Sequence, residues 1–176
     1  DPTYRGIAFG CDTIVAAIAG DIFTSMPGMD YIVSTGEPEN VNYSFGNGLA
    51  TGLDYSATDQ FFDGVIDAFG FMVSKSTGNS GWSQTGRTIT HPAPAYNLMA
   101  SANMDDFNNQ NRAVHRITSG SSTGGTAAGR KKPDITSPGT NSMAPNLANT
   151  FSNIGGTSSA SPHTGGGIVL LCDMGV

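Results

Sequence analysis

The 176-residue sequence has the size of one domain with a hydrophobic core of its own. Hydrophobic residues make up 38% of it, charged residues 12%, and glycine occupies 24 positions, which excludes both a disordered chain and a helical bundle. The net charge of −6 argues against nucleic acid as a partner, and no apolar run is long enough to predict a membrane span. The basic run at 130–132 is predicted to be a solvated loop, and Cys11 and Cys172 to be separate buried thiols rather than a disulfide.

The first half of the sequence alternates between predicted strands and helices. A glycine-bounded apolar run at 13–19 predicts a buried parallel strand. Residues 22–35 predict a helix that is broken near Pro27, and residues 41–45 predict a second strand. Aromatic and aliphatic side chains form one stripe at helical spacing in 57–69, so this segment is predicted to be a helix facing the core.

The second half continues with strands and long polar connections. Strands are predicted at 71–77, 97–102 and 134–136, and loops at 103–132 and 140–154, the first with one short strand. Strands that alternate with helices favour an α/β fold, a parallel sheet with helices on both faces.

Ser158 lies where a glycine turn opens the last predicted helix, which continues to Leu171. The start of a helix concentrates unpaired backbone N–H groups and partial positive charge, which favours an alkoxide or oxyanion beside this serine. A serine needs such activation to act as a nucleophile. The alternative is structural: Thr157 or Ser158 caps the helix and has no chemical role.

Asn79 lies in a glycine-flanked turn after the predicted strand 71–77. Open parallel sheets bind ligands beyond the carboxyl ends of their strands, and a side-chain amide there can donate to an oxyanion. The alternative is that an asparagine in this turn only tolerates a left-handed backbone conformation.

Three segments resemble motifs of the subtilisin-like serine proteases (subtilases). Residues 156–163, Gly-Thr-Ser-Ser-Ala-Ser-Pro-His, resemble the nucleophile motif Gly-Thr-Ser-x-Ala-x-Pro-His. Residues 77–81 resemble Ala-Gly-Asn-x-Gly, whose asparagine donates in the oxyanion hole, and residues 129–139 resemble Gly-Arg-x-Lys-Pro-Asp-Ile followed by x-Pro-Gly. The resemblance implies a three-layer α/β/α fold.

The resemblance also implies an activity and a set of site residues. Ser158 would attack a peptide carbonyl, and Asn79 with the Ser158 backbone N–H would hold the oxyanion. Residues 42–46 resemble Asn-x-Ser-Leu-Gly at one wall of the substrate groove, and 76–78 resemble the opposite wall. The implied substrate-binding residues are Ser44, Phe45, Gly46, Ser76, Thr77 and Gly78.

Other consequences of the resemblance concern cofactors, partners and location. The implied partner is a polypeptide substrate, and the implied location is secreted or extracytoplasmic. Subtilases often bind structural calcium, but this sequence shows no convincing cluster of ligands.

A subtilase triad also needs a histidine and an aspartate, whose motifs precede the serine. His163 lies about 140° round the helix from Ser158, which suits a structural role, and His91 and His115 are predicted to be ordinary surface or loop residues. We therefore expect residues 1–176 to be a single partial catalytic domain, truncated at both ends, with the base and its acid upstream of Asp1. The alternatives are an inactive subtilase-like binding module and one chain of a split protease.

Two features fit this scheme poorly. The run 165–167 places glycines in a helix, at about 1 kcal/mol each relative to alanine, so either close packing requires them or the helix is weak. Lys75 interrupts an apolar strand for no reason that the sequence offers.

Overall fold

A five-stranded, mostly parallel sheet forms the centre of the molecule. The computed structural model describes residues 5–16, 22–49, 54–81 and 86–175. The parallel strands run side by side in the order β1 (Asn40–Tyr43), β3 (Met72–Ser76), β5 (Met99–Asp105) and β7 (Ile135–Pro138). The short β6 (Arg116–Ile117) pairs antiparallel with the end of β5.

Two smaller antiparallel pairs lie outside this sheet. One joins β2 (Asn47–Leu49) to β4 (Thr90–His91), and the other is a hairpin of β8 (Ser142–Asn146) and β9 (Thr150–Ile154). The long helices are α1 (Ile22–Thr35), α2 (Ala57–Phe69) and α3 (Thr157–Asp173). None of the helices in the described ranges is long and apolar enough to cross a membrane.

Helices α1 and α2 cover one face of the sheet and build the hydrophobic core. Helix α2 starts at a capping box, in which Ser56 and Asp59 each accept from the other's backbone N–H, and it ends at Gly70 with φ 71°. Its buried side chains pack with Met29 of α1 and with the inward residues of the strands. The buried core residues are Met29, Val41, Tyr43, Phe62, Ile66, Phe71, Val73, Ala93, Ala95, Leu98 and Ala100.

Helix α3 covers the other face through small and polar side chains. Ser161 Oγ donates to Asn42 Oδ1 at 2.7 Å. Thr164 Oγ1 donates to Ser101 Oγ at 2.9 Å and lies 2.7 Å from Ser137 Oγ. With helices on both faces, the predicted α/β architecture is confirmed.

The predictions for α1, α2, β1, β3, β5 and β7 hold apart from their exact ends, but three local predictions are wrong. Residues 13–16 form no strand, and Ile14 is 85% exposed; 17–19 lie outside the described residues. Helix α1 continues through Pro27, with Met29 buried in the core beyond it. The predicted loop at 140–154 contains the β8–β9 hairpin. The sequence did not predict it, because these strands show no clear alternation of apolar and polar residues.

Two predictions about single side chains are also wrong. Cys11 and Cys172 are free thiols as expected, but both are exposed rather than buried. In the basic run, Lys132 is buried and its ammonium lies 2.7 Å from the Asp134 carboxylate, so only Lys131 is a solvated charge there.

Candidate active site

A cavity of about 250 Å³ opens where β1 and β3 end and α3 begins. It brings together Ser158, Asn79 and all but one of the predicted substrate-binding residues. The lining residues are Ser44, Phe45, Gly46, Ser76, Gly78, Asn79, Thr90, Thr157 and Ser158. Thr90 and Thr157 line the cavity as well, although the sequence predicted neither of them as a substrate-binding residue.

Thr77 is the predicted site residue that the cavity does not include. Its side chain is fully buried, and its hydroxyl donates to Ser101 O at 3.3 Å and Ser122 O at 3.2 Å. Ser122 also holds the following turn, since its N–H donates to Gly78 O and its Oγ accepts from Ser80 N. Thr77 therefore anchors the strand end behind the cavity.

Ser158 is exposed in the first turn of α3. The N-cap is Gly156, with φ 90°, and neither Thr157 nor Ser158 caps the helix with its own side chain, so the alternative of a Thr157 or Ser158 cap is wrong. Ser158 Oγ donates to the Ser44 carbonyl at 3.3 Å, and Ser44 Oγ donates to the Ser158 carbonyl at 2.9 Å. This reciprocal pair joins the end of β1 to the nucleophile candidate.

Asn79 is bonded to the residue that precedes Ser158. Its Oδ1 accepts from Thr157 N at 2.9 Å and from Thr157 Oγ1 at 3.0 Å. The left-handed residues of its turn are Gly78 and Gly81, with φ 111° and 67°, so Asn79 is not there to tolerate that conformation. Because a backbone N–H requires an acceptor, these bonds fix which end of the amide faces Thr157.

Two hydrogen-bond donors at the cavity are left without acceptors. Within the described part of the chain, neither Asn79 Nδ2 nor the backbone N–H of Ser158 has a bonding partner. Gly156 lets the amide come close, since a Cβ there would lie 2.9 Å from Asn79 Oδ1. The arrangement can hold a negatively charged oxygen beside the serine hydroxyl.

All three histidines of the sequence are described, and each is bonded away from Ser158. His163 Nδ1 lies 2.8 Å from the Ser159 carbonyl on its own helix, and His115 Nε2 lies 2.7 Å from the Asn109 carbonyl. Both fit their predicted structural or loop roles.

His91 differs from its prediction as an ordinary surface or loop residue. It is 9% exposed, and its Nδ1 lies 2.7 Å from the fully buried carboxylate of Asp59. Ser56 Oγ lies 3.1 Å from the same nitrogen. No sequence pattern predicted this pair, because 32 positions separate its members.

Lys75 is fully buried near the end of β3. Its Nζ donates to both the carbonyl and the hydroxyl of Ser76 and lies 6.0 Å from the Tyr43 ring centroid. Burial lowers the pKa of this ammonium from 10.5 to about 7, and the charge of Asp59 opposes that shift.

The described residues contain no group of three His, Cys, Asp or Glu side chains placed to hold a metal ion. These residues therefore offer no carboxylate-rich calcium site, and the proposed chemistry uses no metal ion.

Comparison with known proteins gives the same family as the motifs. The sequence profile of the subtilase family (peptidase S8) matches residues 20–174, which is most of the chain. This chain belongs to the subtilase family. Two curated relatives are longer than this chain.

Subtilisin DY of Bacillus licheniformis is 29% identical over 162 residues, which cover 92% of this chain and 49% of that protein. The serine protease AprX of Bacillus subtilis (strain 168) is 29% identical over 117 residues, or 65% of this chain and 26% of that protein. The chain thus spans half or less of these relatives.

Solved structures share the fold. The self-cleaved protease domain of PatA superposes with a TM-score of 0.72 at 21% identity, over 96% of this chain and 60% of that one. A cold adapted subtilisin-like serine proteinase gives a TM-score of 0.65 at 22% identity, over 88% and 50% of the two chains.

Proposed function

We propose that the protein containing this chain is a serine endopeptidase that cleaves polypeptides through an acyl-enzyme on Ser158. The observation that carries the proposal is the pairing of Asn79 with Thr157 at the mouth of α3. It brings an unpaired amide donor, an unpaired backbone N–H and an exposed serine hydroxyl to one cavity. Subtilase membership supports the reaction class.

The proposed reaction begins with attack of Ser158 Oγ on the peptide carbonyl carbon. The carbonyl oxygen becomes an oxyanion, which accepts from Asn79 Nδ2 and the Ser158 N–H. Its collapse releases the amine half of the substrate, which takes up the proton lost by Ser158, and leaves an ester on Ser158 that water then hydrolyses. Ser44, Phe45 and Gly46 on one side, and Ser76 with Gly78 on the other, hold the substrate in this scheme.

The proton of Ser158 needs an acceptor that this chain's histidines do not supply, because each is bonded elsewhere. We propose that the base and its orienting acid come from another part of the parent protein or from a second chain. The same observation favours one alternative, a catalytically inactive module that binds peptides in the cavity. An extracytoplasmic location is carried by the family resemblance alone.

The test is fluorophosphonate labelling of the parent protein and of the 176-residue chain, with Ser158→Ala and the exposed-serine control Ser80→Ala. We expect the parent and the control to be labelled at Ser158 and to hydrolyse peptides. Ser158→Ala should abolish both, and the chain alone should show little labelling. Peptide hydrolysis that survives Ser158→Ala in the parent would overturn the proposal, and an unlabelled, inactive parent would favour the binding module.

A further inference from the structure

A buried cation, the ammonium of Lys75, lies directly behind the residues that line the cavity. Lys75 is 0% exposed, yet its Nζ lies 3.1 Å from the position that a Cβ of Gly46 would occupy. Gly46 and Ser76 both line the cavity, and Nζ is bonded to Ser76. The ammonium therefore touches the cavity wall from behind at two points.

Ser76 connects this ammonium to the cavity. Its Oγ accepts from Lys75 Nζ at 3.2 Å, which leaves the hydroxyl proton to be donated elsewhere. No acceptor for that proton is found among the described residues. A hydroxyl whose oxygen accepts from an ammonium is a stronger donor than an ordinary serine.

The charge of Lys75 is only partly balanced by its surroundings. The ion pairs of the described residues are His91–Asp59, Arg130–Asp54 and Lys132–Asp134, so no carboxylate pairs directly with Lys75. Asp59 attracts it, but Asp59 Oδ2 already accepts from Ser56 and His91. Asp59 Oδ1 is buried without a hydrogen-bond partner.

A buried charge without a direct partner costs stability, and such groups cluster at functional sites. The remaining open side of the cluster is the cavity, whose lining is rich in hydroxyl groups. An anion in the cavity would satisfy the Ser76 proton and complete the charge balance of Lys75.

We propose that this cavity selects an acidic side chain, that of glutamate or aspartate, on the residue whose carbonyl is attacked. In this proposal Ser76 donates directly to the substrate carboxylate, and Lys75 is the positioning residue that supplies the positive charge. This inference rests on the proposed peptidase function, because the preference concerns peptide cleavage. The preference for an acidic side chain itself rests on Lys75, Ser76 and Gly46.

The test compares parent-protein hydrolysis of peptides that differ only in Glu, Gln or Leu before the cleaved bond. We expect kcat/KM for Glu to exceed that for Gln by about tenfold, the size of one charge-assisted hydrogen bond. Lys75→Met and Ser76→Ala should each reduce the Glu-to-Gln ratio towards one. Lys131→Met, which removes an exposed lysine outside this cavity, should leave the ratio unchanged.

The pH profile of the ratio adds a readout that a purely structural lysine would not change. The Glu preference should fall as pH rises through about 7, where Lys75 loses its proton. The titratable groups that face Lys75 are Asp59 on α2 and Tyr43 on β1, and His91 on β4 is bonded to Asp59. A His91→Gln variant should keep the fall, whereas Lys75→Met should lose it.

A binding experiment separates this inference from the catalytic proposal. In the Ser158→Ala parent, calorimetry should show tighter binding of cleaved peptides ending in Glu than in Gln or Leu, in a Lys75-dependent manner. Such binding in a parent that cleaves nothing would reject the peptidase and keep the specificity. Equal binding or cleavage of Glu and Gln peptides, a ratio unchanged in both variants, or no peptide binding at all would overturn the inference.

Discussion

The two faces of the sheet are built from different chemistry. Towards α1 and α2 the strands present Val41, Tyr43, Val73 and Ala100, and packing is apolar. Towards α3 they present asparagine and serine, and the helix is held by hydrogen bonds such as Ser161 to Asn42.

The apolar face mainly stabilises the fold, whereas the polar face positions the residues of the candidate site. The apolar face gains from burial of surface, which is non-directional. The polar face gains less net free energy per contact, but hydrogen bonds have direction and fix the rotation and register of α3. That rotation decides where Ser158 lies relative to Asn79. Three experiments, at Asn79, at Lys75 and in the glycine run of α3, test this comparison in order of decreasing expected effect.

The largest effect is expected at Asn79, where the polar face reaches the cavity. Asn79→Ala should lower kcat of the parent by about 100- to 1000-fold, because one oxyanion donor is lost. This range is that of subtilisin itself and does not follow from the present geometry. Steady-state kinetics on a peptide substrate measure it.

Asn79→Asp is the matched control for the same position. It keeps an acceptor for Thr157 N but replaces the Nδ2 donor, so the melting temperature should change less than with Asn79→Ala while activity is still lost. Full activity in Asn79→Asp would show that Asn79 only caps α3.

Lys75 is the charged exception on the apolar side, and we expect it to cost stability. Its pKa is lower in the folded chain, about 7, than the ordinary 10.5, so the unfolded chain binds more protons between these values. Stability should therefore rise with pH from about 7 to 10.5 because of this group. Lys75→Met should remove that rise and stabilise the fold at pH 6 by about 1–4 kcal/mol.

Urea unfolding of the parent at several pH values measures the effect. Lys131→Met, at an exposed lysine, should keep the wild-type pH dependence. Parallel stability curves of Lys75→Met and wild type from pH 6 to 10 would contradict this effect of Lys75.

The smallest effect is expected within the glycine run of α3. A Cβ at Gly165 would lie 2.5 Å from Asn40 Nδ2 and 2.8 Å from Ser74 Oγ, so Gly165→Ala should destabilise by about 1–3 kcal/mol. Gly167 has open space, and Gly167→Ala should stabilise by about 1 kcal/mol. Thermal unfolding of both variants measures the difference, and equal shifts would refute close packing of α3 on the sheet.

The sequence best predicted the helices and strands that are determined by residues close together in the chain. Helix α2 has an apolar stripe, a capping box at Ser56 and a left-handed glycine at its end, and its predicted bounds, Ala57–Phe69, match. The hairpin at 140–154 lacks a clear alternation of apolar and polar residues, and the run at 13–16 is exposed although its composition is that of a buried strand, so local pattern misjudged both.

The candidate site divides in the same way. Ser158 and Asn79 were found through motifs, and their roles remain predictions that the experiments above test. The His91–Asp59 pair and the position of Lys75 behind Gly46 left no pattern, because tertiary contacts alone bring those residues together. The glycine run is a third case. The sequence left open whether close packing requires these glycines, and the structure shows close packing at Gly165 but open space at Gly167.

The two hydrogen bonds from Thr157 to Asn79 Oδ1 have a mechanical consequence. It ties the loop after β3 to the first turn of α3, so a small displacement of either one carries the other along. The distance between the Ser158 hydroxyl and the Asn79 amide is thereby kept when the sheet moves. Loss of these two hydrogen bonds would displace both groups at once.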